Sequence, residues 1–138
     1  MRMRRKKHYD DRLNACSHLL CECPDEPISS PECHFGFDGD MYLEIGCGKG
    51  GFAVQFAAAN PSVCFYAMER VGNVMVNAVE RAEREKDTRP DNLRFMIANA
   101  QDLENGLPPI LFLPFILISP ILGLKRATQS AVSLAAPF

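Results

Sequence analysis

The apolar run Met41-Tyr42-Leu43-Glu44-Ile45 opens directly into Gly46-Cys47-Gly48-Lys49-Gly50-Gly51, and this junction limits the folds open to the chain more than any other segment. Glycine takes backbone angles closed to other residues and lets the main chain approach a neighbour closely. An apolar strand that turns through several glycines into a helix is the opening unit of a parallel α/β sheet, and such a loop is built to hold a nucleotide-like ligand. A tight strand-to-helix turn with no ligand is the alternative.

Two ligands compete for this loop. Gly46, Gly48 and Gly51 satisfy the dinucleotide spacing, in which a helix N-terminus receives a pyrophosphate. The carboxylate of Glu44 sits badly beside a pyrophosphate but well beside the cationic amino-acid end of S-adenosylmethionine. The order acidic-x-Gly-x-Gly-x-Gly resembles motif I of the Rossmann-like methyltransferases. Downstream, Val63-Cys64-Phe65-Tyr66-Ala67-Met68 reads as a buried parallel strand ending on Glu69. An acidic residue there, about 20 positions past the glycine loop, is placed to accept hydrogen bonds from ribose hydroxyls. Taken alone, Glu69 could equally be a solvated strand end.

The remaining pattern alternates. Residues 41–45 form the first strand, Phe52 to Ala59 a short helix closed by Asn60-Pro61, and 63–68 the second strand. From Val71 to Lys86, Val71, Met75, Ala78, Val79 and Ala82 share one face of a longer helix, with charged residues opposite. Leu93 to Ala98 form the third strand, followed by Asn99, whose amide offers a donor and an acceptor to a base edge or merely ends the strand in a turn. The βαβαβ order predicts an α/β protein with a doubly wound parallel sheet.

Charge is near balance, at −2 over 138 residues, but Arg2, Arg4, Arg5, Lys6 and Lys7 crowd the opening of the chain. Such an arm suits a polyanion or is a solvated tail. Residues 1–40, with Pro24, Pro27 and Pro31, read as an arm and an irregular approach outside the core. Six cysteines could suggest a disulfide framework. There is no signal peptide, and Cys47 and Cys64 fall in a glycine loop and a core strand, so the reading is cytoplasmic thiols. Cys16, Cys21, Cys23, Cys33 and His34 lack the paired Cys-x-x-Cys spacing of structural zinc sites, and no metal is expected.

Over residues 1 to about 109 the chain resembles the bacterial tRNA (guanine-N7)-methyltransferases. The likeness rests on Met1-Arg2-Met3-Arg4, on Leu43 to Phe52, on Glu69-Arg70 and on Asn92-Leu93-Arg94-Phe95. The resemblance implies a Rossmann-like methyltransferase fold in which Glu44, Glu69 and Asn99 contact S-adenosylmethionine. Gly46, Gly48 and Gly50 turn beneath the cofactor, and the basic arm lies near tRNA. The family often carries an acidic residue where this chain has Asn99.

After Pro109 the likeness stops. The family continues with a fourth strand and a loop close to Asn-Phe-Ser-Asp-Pro-Trp-Pro-Lys, followed by a basic stretch. Here residues 110–124 carry no charge, and the tail to Phe138 carries only Lys125 and Arg126. Codons allowed for Phe115 to Ser119, such as TTT ATA TTA ATT TCT, contain Tyr-Ile-Asn-Phe when read one nucleotide earlier. The same displacement permits Ser-Asp-Pro-Trp-Pro-Lys up to Lys125 and Thr-Arg-His-Ala-Lys-Arg-Arg-Leu-Thr through Leu134.

The expectation is a one-nucleotide deletion between the codons for Pro109 and Pro114, an out-of-frame tail over 110–138 and an early end. Residues 41–109 then form the cofactor half of an incomplete domain. Such a chain holds no catalytic residues and is weakly active or inactive. A membrane span over 107–124 is opposed by Pro108, Pro109, Pro114 and Pro120, and a strand is compatible with Ile110 to Phe112 only. A small RNA-binding or cofactor-binding module without catalysis is the functional alternative.

Overall fold

A computed structural model describes residues 4–22, 30–88 and 90–99, together with the backbone of 115–118. Four strands, β1 (Met41–Ile45), β2 (Cys64–Glu69), β3 (Leu93–Ile97) and β4 (Phe115–Ile118), form one parallel sheet in the order β3-β2-β1-β4. Two crossover helices join the first three strands, α3 (Gly51–Ala59) between β1 and β2 and α4 (Gly72–Arg84) between β2 and β3. Two shorter helices precede them, α1 (Tyr9–Ala15) and α2 (Glu32–Phe35).

Strand alternation divides the core. Tyr42, Phe65, Ala67, Leu93 and Phe95 face α3 and α4, where Phe56, Met75, Ala78, Val79 and Ala82 complete one apolar cluster. Leu43, Cys64, Tyr66, Met68 and Met96 face the other way, against Phe35 and Phe37. Central strands covered on both faces are almost wholly apolar, as the sequence of β2 shows. Glu44 has the parity of Tyr42 and Glu69 that of Phe65, so both carboxylates leave the sheet on the α3 and α4 face.

Local chemistry sets the helix ends. Asn60 closes α3 by donating from Nδ2 to the Phe56 carbonyl at 2.9 Å, and Pro61 cannot continue the helix. The fully buried Asn92 reaches the same end, donating to the carbonyls of Ala57 and Asn60 at 2.9 Å each. These bonds satisfy carbonyls that a helix terminus leaves unpaired and fix α3 against the start of β3.

Two expectations are corrected. The segment before β1 is not outside the core: Cys16 and Leu19 are buried in the α3 and α4 face, and Phe35 in the other. Its apolar residues are too few and too spread to show a period, so only tertiary contact orders them. Leu20 also bridges Phe95 in parallel and the Cys21 N–H donates to the Phe95 carbonyl at 2.9 Å, which covers the outer edge of β3. The second correction concerns the stretch after residue 109. The strand lies at Phe115–Ile118, paired with Tyr42–Ile45, whereas residues 110–112 lie outside the described residues. The membrane reading of 107–124 likewise falls outside them apart from β4; no described helix is long and apolar enough to cross a membrane.

Gly50 takes φ +80°, and a Cβ there would stand 3.1 Å from the Ala78 Cβ of α4. Gly48 takes φ +58° but faces open space. Gly50→Ala therefore incurs both backbone strain and a clash, for a loss of about 2 kcal/mol or more, and Gly48→Ala only the strain, about 1 kcal/mol. Chemical denaturation of the two variants should rank them in that order.

Candidate functional site at the carboxyl edge of the sheet

In parallel α/β sheets the loops beyond the carboxyl ends of the strands carry ligands, and the two loops that matter here are held together. The N–H groups of Gly46 and Cys47 both donate to the Met68 carbonyl, at 2.8 and 2.9 Å. Gly46, Gly48 and Gly50 all have positive φ, which winds the chain back from β1 into α3. Glu69, at the end of β2, accepts from the Gly48 N–H at 3.0 Å through Oε2 and from the Val71 N–H at 3.1 Å through Oε1. One carboxylate thus joins the glycine turn to the start of α4. The Ala98 N–H donates to the Glu69 carbonyl at 3.1 Å, which brings the end of β3 and the adjoining Asn99 to the same edge.

Glu44 lies just below this edge and is 1% exposed. Its Oε2 takes no hydrogen bond among the described residues. Burial, and secondarily the charge of Glu69, push its pKa up from 4.5 to about 7. Cys47 is buried beside both carboxylates, and burial first, then those charges, raise its thiol far above the ordinary range, so it is no nucleophile.

The sequence-derived residues Glu44, Gly46, Gly48, Gly50, Glu69 and Asn99 therefore converge on one edge. A buried carboxylate with one oxygen unpartnered among the described residues, a glycine turn and a second carboxylate fit a ligand that brings a positive charge and hydroxyl groups. The donor set fits S-adenosylmethionine in that sense. Sequence reasoning missed the Met68 carbonyl and the Val71 N–H, because main-chain groups carry no residue signature.

The basic arm lies against α4. The Lys6 N–H donates to Asn73 Oδ1 at 3.0 Å, Lys6 Nζ to Asn77 Oδ1 at 2.5 Å, and Asn73 Nδ2 to the Arg4 carbonyl at 2.8 Å. Arg5 pairs with Asp10 at 2.7 Å and covers the Tyr9 ring, Lys7 is exposed, and Arg2 lies outside the described residues. Tyr9 Oη stands 2.1 Å from where a Cβ on Gly72 would be, so the arm and α1 are seated by a glycine at the start of α4. Among the described residues no group of three or more His, Cys, Asp or Glu could hold a metal ion, and Cys16, Cys21, Cys33, Cys47 and Cys64 are free thiols.

Residues 38–112, more than half of the chain, match the family described as "Putative methyltransferase", and the chain belongs to that family. Its fold is the α/β Rossmann-like methyltransferase fold expected from the sequence, in partial form, and the family uses S-adenosylmethionine. Two solved structures are similar to it. One is the phosphoethanolamine N-methyltransferase 2 of Haemonchus contortus in complex with S-adenosyl-L-methionine, at 21% identity and a TM-score of 0.37 over 64% of this chain and 17% of that one. The other, described as a "putative s-adenosyl-l-methionine-dependent methyltransferase", is from Methanococcus maripaludis, at 13% identity and a TM-score of 0.43 over 96% of this chain and 60% of that one. The chain thus spans less than two thirds of the length of either.

Because Glu44 holds its proton more tightly folded than unfolded, its contribution is fullest below pH 4.5 and is lost as pH rises through about 7. The shift corresponds to about 3 kcal/mol of lost stability above pH 7 in the ligand-free chain. Melting temperatures measured between pH 5 and 8 should fall more steeply for the unsubstituted chain than for Glu44→Gln.

Proposed function

We propose that this chain is the cofactor-binding half of an S-adenosylmethionine-dependent tRNA (guanine-N7)-methyltransferase. The observation that carries the reading is the convergence of buried Glu44, the glycine turn and Glu69 on one sheet edge. Each residue has a separable task. Glu44 supplies the negative charge that a cationic amino-acid end requires and is already stripped of water. The turn at Gly46, Gly48 and Gly50 lets the main chain come close, Glu69 accepts from ribose hydroxyls while keeping its two backbone donors, and Asn99 reads the adenine. The bound cofactor supplies an electrophilic methyl group to a ring nitrogen lone pair. Arg2, Arg4, Arg5, Lys6 and Lys7 contact tRNA phosphates, and a tRNA substrate places the chain in the cytoplasm.

What this half lacks is the part that orients guanine. Methyl transfer requires the N7 lone pair held in line with the methyl group, and misplacement by an ångström is costly. β4 pairs Ile118 with Ile45, the residue just before Gly46. The family's Asn-Phe-Ser-Asp-Pro-Trp-Pro-Lys loop would start at this point. In the displaced reading frame its Asn codon overlaps that of Ile118, and the allowed codons just before it read Tyr-Ile there and Phe-Ile-Leu in the present frame, strand-forming residues in both. A strand at 115–118 is therefore compatible with an out-of-frame tail over 110–138. No membrane role enters this reading.

The nucleotide sequence of the locus, read past the codon for Phe138, tests the frame. An open displaced frame encoding Asn-Phe-Ser-Asp-Pro-Trp-Pro-Lys is expected, and its absence would make the apolar tail genuine sequence. The purified chain should yield little or no N7-methylguanosine in tRNA; robust methylation would contradict the proposed loss of the guanine-orienting half.

A further inference from the structure

A cleft of about 310 Å³ opens between α1, the glycine turn and α4, lined by Arg12, Lys49, Asn77, Glu80, Arg81 and Arg84. Four of the six lining residues are cationic and one is acidic, and the acidic one is already engaged: Arg12 Nε donates to Glu80 Oε1 at 2.9 Å. Arg81 stands 3.9 Å from Glu85, a loose exposed pair of small energetic worth. Lys49 and Arg84 are exposed and make no ion pair among the described residues.

Arg81 is also oddly placed for a purely structural residue. Its Nη1 lies 3.2 Å from where a Cβ on Gly51 would stand, so the guanidinium lies across the first residue of the nine-residue α3. That helix end is itself partially positive, with N–H groups lacking intrahelical partners. Two like-signed groups brought together in this way gain from an anion shared between them.

We propose that this cleft binds phosphate groups of an RNA backbone. The proposal rests on the tRNA reading above and assigns residues that the basic arm does not include. Asn73, Asn77, Arg81 and Arg84 recur at helical spacing along one stripe of α4, and the arm's Arg4 and Lys6 are bonded to the first two. The cations thus form a track that runs along α4 to Lys49 in the glycine turn. A track of this kind suits successive phosphates better than one small anion, and it would lay the RNA beside the cofactor loop.

Fluorescence anisotropy of labelled tRNA with the full chain, over a series of salt concentrations, tests this. Lys49→Ala/Arg84→Ala should bind at least about tenfold more weakly near 0.1 M salt, and its log affinity should fall less steeply with log salt, by about 1.5. Lys49→Arg/Arg84→Lys should restore both, and circular dichroism melts should show all variants folded. Unchanged affinity and slope in the folded alanine pair would overturn the cleft while leaving the tRNA reading intact. Absence of saturable tRNA binding by the unsubstituted chain would overturn both.

Discussion

The Glu69 carboxylate accepts from two backbone N–H groups that belong to different loops, Gly48 after β1 and Val71 before α4, and the candidate site depends on that bridge. Hydrogen bonds to an ionised acceptor are the stronger kind, and here they close over a turn that three positive-φ glycines would otherwise leave loose. The Met68 carbonyl adds two further bonds to the same turn. A carboxylate accepts more than two hydrogen bonds, so holding the loop leaves Glu69 with acceptor capacity for the proposed contact to ribose hydroxyls.

Glu44 presents the complementary feature. A carboxylate that is 1% exposed and leaves one oxygen without a partner among the described residues costs stability whenever it is charged. The fold retains that cost at the edge where a cationic ligand would offset it. Perturbed acids of this kind concentrate at functional sites. In the proposed role the pH dependence of folding and that of binding run in opposite directions: deprotonation above about pH 7 weakens the empty chain and strengthens its hold on a cation.

Much of this was legible in the sequence because it is local. The strand at 41–45 has the bounds expected, α3 and α4 begin and end within two residues of their predicted limits, and the acidic residues fall at strand positions whose parity and ends follow from simple alternation. What escaped is long-range. α1 is short and weakly patterned, and it is fixed by Tyr9 packing on Gly72 and by Arg12 pairing with Glu80. Asn92 stands just ahead of the third strand with no sign in the sequence of its partners, and is a buried tie to the end of α3. β4 fills the apolar stretch between Pro114 and Ser119-Pro120, breakers that count against a membrane span, but its pairing with β1 is a long-range contact that no local pattern specifies. The stripe from Asn73 to Arg84 reads as the solvated side of an amphipathic helix until the arm and the glycine turn are placed beside it.

In the proposed role Glu44, the glycine turn and Glu69 form one site for S-adenosylmethionine. Calorimetric titration of the folded chain at pH 8 tests it most directly, alongside Glu44→Gln and Glu69→Gln. One cofactor bound per chain is expected, with at least about tenfold weaker binding in each variant, equivalent to about 1.4 kcal/mol or more. No binding to the folded chain, or equal binding to all three proteins, would contradict it.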